Sequence, residues 1–152
     1  MADCSAMAVQ LVRSTGLFPD APYAYAARTQ RSDLIFTAGA CPLDEHGRVV
    51  GAGDVREQMR QALRNLQVAL EESGAAIRDV AKTTVYVASG VRDDLVAAWD
   101  EVAGFFGDHD VPSTLLGVAM LGYPGQLVEI EAVAVASSPV AALIDASMST
   151  RS

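Results

Sequence analysis

One run near the C-terminal end limits the folding choices of this chain more than any other: Leu127-Val128-Glu129-Ile130-Glu131-Ala132-Val133-Ala134-Val135. It is free of Gly and Pro, rich in β-branched residues, and alternates in character, which predicts a strand with two different faces. Val128, Ile130, Ala132 and Ala134 suit a side packed by helices. Leu127, Glu129, Glu131, Val133 and Val135 form the other side, which is too apolar for open water and implies cover by another subunit.

Two helical periods supply the packing for the first side. Asp54 can cap a helix, with Glu57 completing a capping-box pattern, and Val55, Met59, Leu63, Leu66 and Leu70 share one stripe before Gly74 stops it. A second helix runs from about Asp94 to Phe106, with Leu95, Trp99, Val102 and Phe106 on one stripe and Gly107 closing it. Further strands are expected at Leu34–Ala38, Ala81–Val87 and Thr114–Met120, the last interrupted by Gly117. Pro19, Asp20 and Pro22 mark a turn, Tyr23–Arg28 a short edge strand, and Asp44–Gly47 a turn from which Val49-Val50 begins a return strand. The order of elements gives an α+β fold: one mixed sheet with two helices on one face. A length of 152 residues, 51% of them hydrophobic, supports one packed domain. Residues 1–18 read as a loosely patterned lead, 19–136 as the domain, and 137–152 as a small, polar tail.

A net charge of −8 and a pI near 4.5 argue against nucleic acid or an anionic membrane as partner. No apolar run reaches the roughly 20 residues of a membrane-spanning helix, and no basic lead precedes an apolar stretch at the N-terminus. Cys4 and Cys41, the two cysteines, cannot build a disulfide framework and suit a reducing cytoplasm. Spacings for a metal site, a phosphate loop or a nucleophile elbow are missing, so no metal or cofactor is expected.

Glu129 and Glu131 are the most informative polar pair. At period two they share a face, roughly 7 Å apart along the strand. On a covered, partly apolar face such carboxylates can serve in acid–base chemistry. The commoner arrangement is that one or both pair with arginines or face solvent at a sheet edge. Cys41 reads as a small buried thiol with no evident base. His109, just after the second helix, reads as structural, and Trp99 and Phe106 as core. Tyr23 suits a cleft or an edge anchor equally.

Four segments together resemble the Rid family, also called YjgF/YER057c/UK114: Ala21-Pro22-Tyr23; Leu34–Gly39 with Pro42-Leu43-Asp44; Val80–Val87; and Leu127–Ala134. The helix Gln58–Leu70 is similar as well. The resemblance implies a chorismate-mutase-like fold and a homotrimer whose three sheets form a central barrel with helices outside. It implies small-molecule pockets in the clefts between subunits and hydrolysis of reactive enamines and imines to 2-keto acids and ammonia, without metal or organic cofactor. Tyr23 matches the family's pocket tyrosine, and Glu129 the glutamate that positions the attacking water. Gly39 matches the glycine of a Ser-Gly-Gln segment, with Ala38 and Ala40 in place of the serine and glutamine. Ala38, Gly39, Thr114 and Leu115 complete the candidate substrate-binding set beside Tyr23.

One departure matters. The deaminases place an arginine, which grips the substrate carboxylate, in the segment that here reads Asp110-Val111-Pro112-Ser113-Thr114-Leu115-Leu116-Gly117-Val118, and no arginine or lysine occurs between Arg92 and Arg151. Losing a charge-assisted bond to a carboxylate costs roughly 1.5–3 kcal/mol. The expectation is therefore a pocket for a neutral or apolar metabolite, or an imine lacking the carboxylate, with 2-aminoacrylate a poor substrate. The alternatives are an ordinary 2-iminobutanoate/2-iminopropanoate deaminase, or a non-catalytic module that binds a metabolite or protein.

Overall fold

The computed structural model describes residues 9–13, 20, 23–24, 26–29 and 33–136. Cys4, the remaining parts of the 1–18 lead, the turn positions Pro19 and Pro22, and the tail 137–152 lie outside the described residues.

A two-stranded antiparallel ribbon comes first, β1 (Gln10–Val12) against β2 (Ala26–Arg28). So part of the supposed lead is a strand, and the edge strand expected over Tyr23–Arg28 shortens to its last three residues. The main sheet follows. Its strands are β3 (Leu34–Phe36), β4 (Val80–Val87), β5 (Ser113–Gly117) and β6 (Val128–Val135), in the order β3-β6-β4-β5. β6 runs antiparallel to both neighbours, while β4 and β5 are parallel and joined through a helix, so the sheet is mixed.

The helices are α1 (Val55–Glu72) and α2 (Arg92–Phe106). Asp54 accepts a hydrogen bond from the Glu57 backbone N–H (3.0 Å), while its own N–H goes to Gly51, so only half of the capping box forms. Gly74, at φ +87°, takes the left-handed conformation that turns the chain away after α1. Met59, Leu63, Leu66 and Leu70 of α1, with Ala98, Val102 and Phe106 of α2, pack against Val85, Val87, Val128, Ile130, Ala132 and Ala134 in one core. The helix-packed side of β6 is thus the one its alternation indicates.

Four expected element boundaries move. Val49 makes only a single bridge to Leu43, because Gly51 and Gly53, both at positive φ, swing the chain straight into α1. The strand from Leu34 stops at Phe36, although Thr37 and Ala40 still donate to Ala132 and Ile130 of β6. β5 ends at Gly117, where an added Cβ would lie 2.9 Å from the Ser89 carbonyl. α2 starts at Arg92, two residues earlier than its acidic pair suggests.

One buried polar residue breaks the apolar stripe of α1. Gln58 is fully buried, donates to the carbonyls of Gly51 (3.1 Å) and Gly125 (2.9 Å), and accepts from Leu127 N–H (2.7 Å). It ties both loops that flank β6 and α1. The other side of the sheet is open in the protomer: Phe36 is 73% exposed and Leu34 45%.

Gln58→Leu keeps the helix but removes the side-chain partner of the Gly125 carbonyl and the Leu127 N–H and one of the two donors to the Gly51 carbonyl, so it should destabilise by about 1–3 kcal/mol despite being more apolar. Leu66→Ala should cost about 2–5 kcal/mol. Urea denaturation at fixed protein concentration measures both, and a Gln58→Leu midpoint at or above the wild-type value would contradict the tethering role.

Candidate functional site

The candidate residues gather in two places rather than one. The first is on the open side of the sheet, near the start of β6. Gln126 donates through Nε2 to Oε2 of Glu129 (3.0 Å) and to the Val128 carbonyl (3.0 Å), and its Oε1 accepts from Tyr123 N–H (3.1 Å). Cys41 Sγ donates to the same Glu129 oxygen at 3.5 Å. A Cβ on Gly39 would overlap the Glu129 carboxylate, so a larger residue there would displace that side chain from this position. Neighbouring Ala38 is exposed.

This carboxylate has no arginine partner among the described residues; it is held by an amide and a thiol. Cys41 is half-buried, and Asn65 fixes its backbone by donating to the carbonyls of Cys41 (2.8 Å) and Leu43 (2.9 Å). Burial first, then the Glu129 charge and hydrogen bond, push its thiol pKa upward, so it stays protonated at neutral pH and acts as a donor. The sequence supplies no sign of this contact, because Cys41 and Glu129 meet only through the bridge of Ala40 to Ile130. Next along the face, Glu131 accepts from the Tyr86 hydroxyl (2.9 Å), which raises the Tyr86 pKa.

The second place is the β5 edge. Tyr23, Thr114 and Leu115 line a cleft of about 410 Å³ together with Trp99 and Ser113. Tyr23 stands edge-on to Trp99, with ring centroids 6.4 Å apart. Its segment is pinned from both sides: Ala24 N–H donates to the Asp110 carbonyl (2.7 Å), and Arg13 donates to the Tyr23 carbonyl (3.2 Å) while pairing with Asp110. Trp99 is therefore wall as well as core. Its place on an apolar helical stripe concealed that second role. His109 is buried and donates from Nε2 to the Val80 carbonyl (2.7 Å), in keeping with a structural role.

The segment around Thr114 carries no cation of its own, and one stands beside it on the adjacent strand. Lys82, the single lysine of the chain, donates from Nζ to Thr114 Oγ1 (2.8 Å) and to the Thr83 carbonyl (2.7 Å). It arrives from β4, not from the segment around Thr114. Parallel pairing aligns Thr84 with Thr114, which brings a residue far away in sequence beside the cleft. No three His, Cys, Asp or Glu residues among the described ones gather to hold a metal ion.

In a Cys4→Ser background, the pH midpoint for alkylation of Cys41 should lie above that of an ordinary thiol. Glu129→Gln should move it downward without restoring the ordinary value, because burial remains. An unchanged midpoint would show that Glu129 does not contact the thiol.

The family model described as Endoribonuclease L-PSP matches residues 15–136. A RutC family protein of Pyrococcus abyssi is 31% identical over 116 residues, covering 76% of this chain and 87% of the relative. A protein of Salmonella typhimurium named 2-iminobutanoate/2-iminopropanoate deaminase is 33% identical over 122 residues, covering 76% and 92%. A crystal structure of a Yersinia pestis protein of the Rid family superposes with a TM-score of 0.80 at 27% identity, covering 85% of this chain and 99% of that one. The strand order, the helix-packed core and these matches lead to one assignment: the chain belongs to the Endoribonuclease L-PSP family, the group of RutC, Rid and YjgF proteins.

Proposed function

We propose that the protein hydrolyses a small imine or enamine, with Glu129 as the base that activates water. The observation that carries this reading is the Glu129 carboxylate itself: fixed by Gln126 and Cys41 above a glycine, on an open face, and not neutralised by any arginine among the described residues. A carboxylate held in this way can accept a proton from water as the oxygen attacks the C=N carbon. That proton passes to nitrogen, giving a carbinolamine; the carboxylate then takes the proton of the new hydroxyl and hands it to the amine as the C=O bond forms and the C–N bond breaks, releasing a carbonyl compound and ammonia. None of these steps requires an oxidant or reductant. The deaminase name of the Salmonella relative, 33% identical, agrees with this chemistry.

The site needs a second copy of the chain. Lys82 and Tyr86 are four residues apart on β4, about 13 Å at about 3.3 Å each, and Glu129 lies opposite Tyr86 in the register. The Lys82 ammonium is directed the other way, to Thr114 on β5. A small imine cannot touch Glu129 and the Tyr23–Thr114 cleft of the same protomer. It can touch both if the open face of one copy meets the β5 edge of the next. Exposed Phe36 and Leu34 give the apolar area for that contact, and a homotrimer closed on this face satisfies it.

Glu129→Gln should lower kcat for release of ammonia from an imine generated in situ by about 10²–10⁴-fold, while ligand affinity and oligomeric state persist. Wild-type protein that binds but never releases ammonia would contradict the hydrolase reading. A monomer by light scattering at micromolar concentration would contradict the shared site.

A further inference from the structure

We infer that Arg13, the residue after β1, is a positioning residue for the cleft: it seats Tyr23 against Trp99, so the N-terminal ribbon completes one wall of the substrate site. Its bearing on catalysis rests on the hydrolytic reading above.

Four residues form a closed ring of contacts. The Asp110 carbonyl accepts from Ala24 N–H (2.7 Å), the Asp110 carboxylate pairs with Arg13 Nη2, and Arg13 Nη1 donates to the Tyr23 carbonyl (3.2 Å). The Tyr23 carbonyl and the Ala24 N–H are opposite ends of one planar peptide unit. Holding both ends fixes the tilt of that plane, and with it the direction in which the Tyr23 side chain leaves the backbone. Asp110 is a firm base for this. It stands between His109 and Val111, both buried, with His109 Nε2 donating to the Val80 carbonyl (2.7 Å) and Val111 N–H to the His109 carbonyl (2.7 Å). Ala24 is buried as well.

Other arginines serve the scaffold. Arg48 closes a turn through Asp44, and Arg56 and Arg60 join α1 to α2 through Asp100 and Glu101. Arg13 bonds the backbone of a residue that lines the cleft. An exposed ion pair contributes little to stability on its own; here its geometry matters more than its energy. Without Arg13 the peptide unit keeps the Ala24 bond and can rock about it, which carries the Tyr23 ring away from its edge-on contact with Trp99, ring centroids 6.4 Å apart. A lysine is a single point charge and cannot span carboxylate and carbonyl as the two arms of a guanidinium do. The cleft then loses part of its aromatic wall, while Glu129, on the other copy, is untouched. The loss falls on substrate capture rather than on the chemical step.

Trp99 is the single tryptophan of the chain, so its fluorescence reads the seat of Tyr23 without any substrate. Arg13→Ala should shift Trp99 emission to longer wavelength and raise its quenching by acrylamide. For 2-iminopropanoate made in situ, it should raise KM about threefold to tenfold with kcat little changed. Arg13→Lys should recover only part of both signals. Asp110→Ala should match Arg13→Ala, and the double variant should be no worse than either, since the two side chains act as one unit. Arg48→Ala, which removes an ion pair elsewhere, should change neither signal. Unchanged fluorescence and KM in Arg13→Ala, a loss carried by kcat, or additive effects of the two substitutions would overturn the inference. If wild type releases no ammonia while Arg13→Ala moves the Trp99 signal as described, the seat stands and hydrolysis fails. If wild type releases ammonia and Arg13→Ala alters neither signal, hydrolysis stands and the seat fails.

Discussion

The two-residue alternation of β6, held between β3 and β4, governs the rest of the molecule. Val128, Ile130, Ala132 and Ala134 bury both helices against the sheet. The pleat that points them inward must point Glu129, Glu131 and Val133 outward. A slip of one residue would bury two carboxylates and expose the core row, so this register is strongly specified. Gln58 reinforces it by clamping the loop before β6 to the start of α1. Folding energy and the placement of Glu129 are therefore set by one strand: the packing that stabilises the protomer also turns that carboxylate outward.

The outward face is divided by chemistry. Phe36, Leu34 and Val133 make an apolar end, and Lys82, Thr84, Tyr86, Glu129 and Glu131 a polar band across the middle. Within that band the charges are handled differently. Tyr86 engages Glu131, Gln126 and Cys41 engage Glu129, and Lys82 has only neutral acceptors. A face built solely for subunit contact would gain little from desolvating such groups. Glu129 is held by neutral donors, and Lys82 by neutral acceptors with Glu131 acting on it by charge.

Much of this fold is legible in the residues. The cap at Asp54, the stops at Gly74 and Gly107, and the strands around Val85 and Ile130 follow from local signals that tertiary packing does not override. The ribbon β1–β2 is not legible, since Gln10–Val12 is too short to show a period and exists only by pairing with Ala26–Arg28. For the site, the alternation of β6 marks Glu129, but contacts made across strands leave no trace in a linear pattern. Cys41 meets Glu129 through β-bridging, and Lys82 meets Thr114 through parallel pairing. The search for a cation near Thr114 in sequence fails for that reason: the neighbour that matters is on the adjacent strand.

The proposed site joins Glu129 of one copy to the Tyr23–Thr114 cleft of the next, and subunit mixing tests that most directly. Glu129→Gln protomers and Thr114→Trp protomers, the second with a filled cleft, are each weak alone on a small imine and are unfolded together and refolded in equal amounts. Random assortment then unites an intact Glu129 with a neighbour's intact cleft in about one site in four. Recovery of about a quarter of wild-type ammonia release is the predicted result. Activity no higher than the mean of the two parents, in mixed oligomers confirmed by mass, would contradict it.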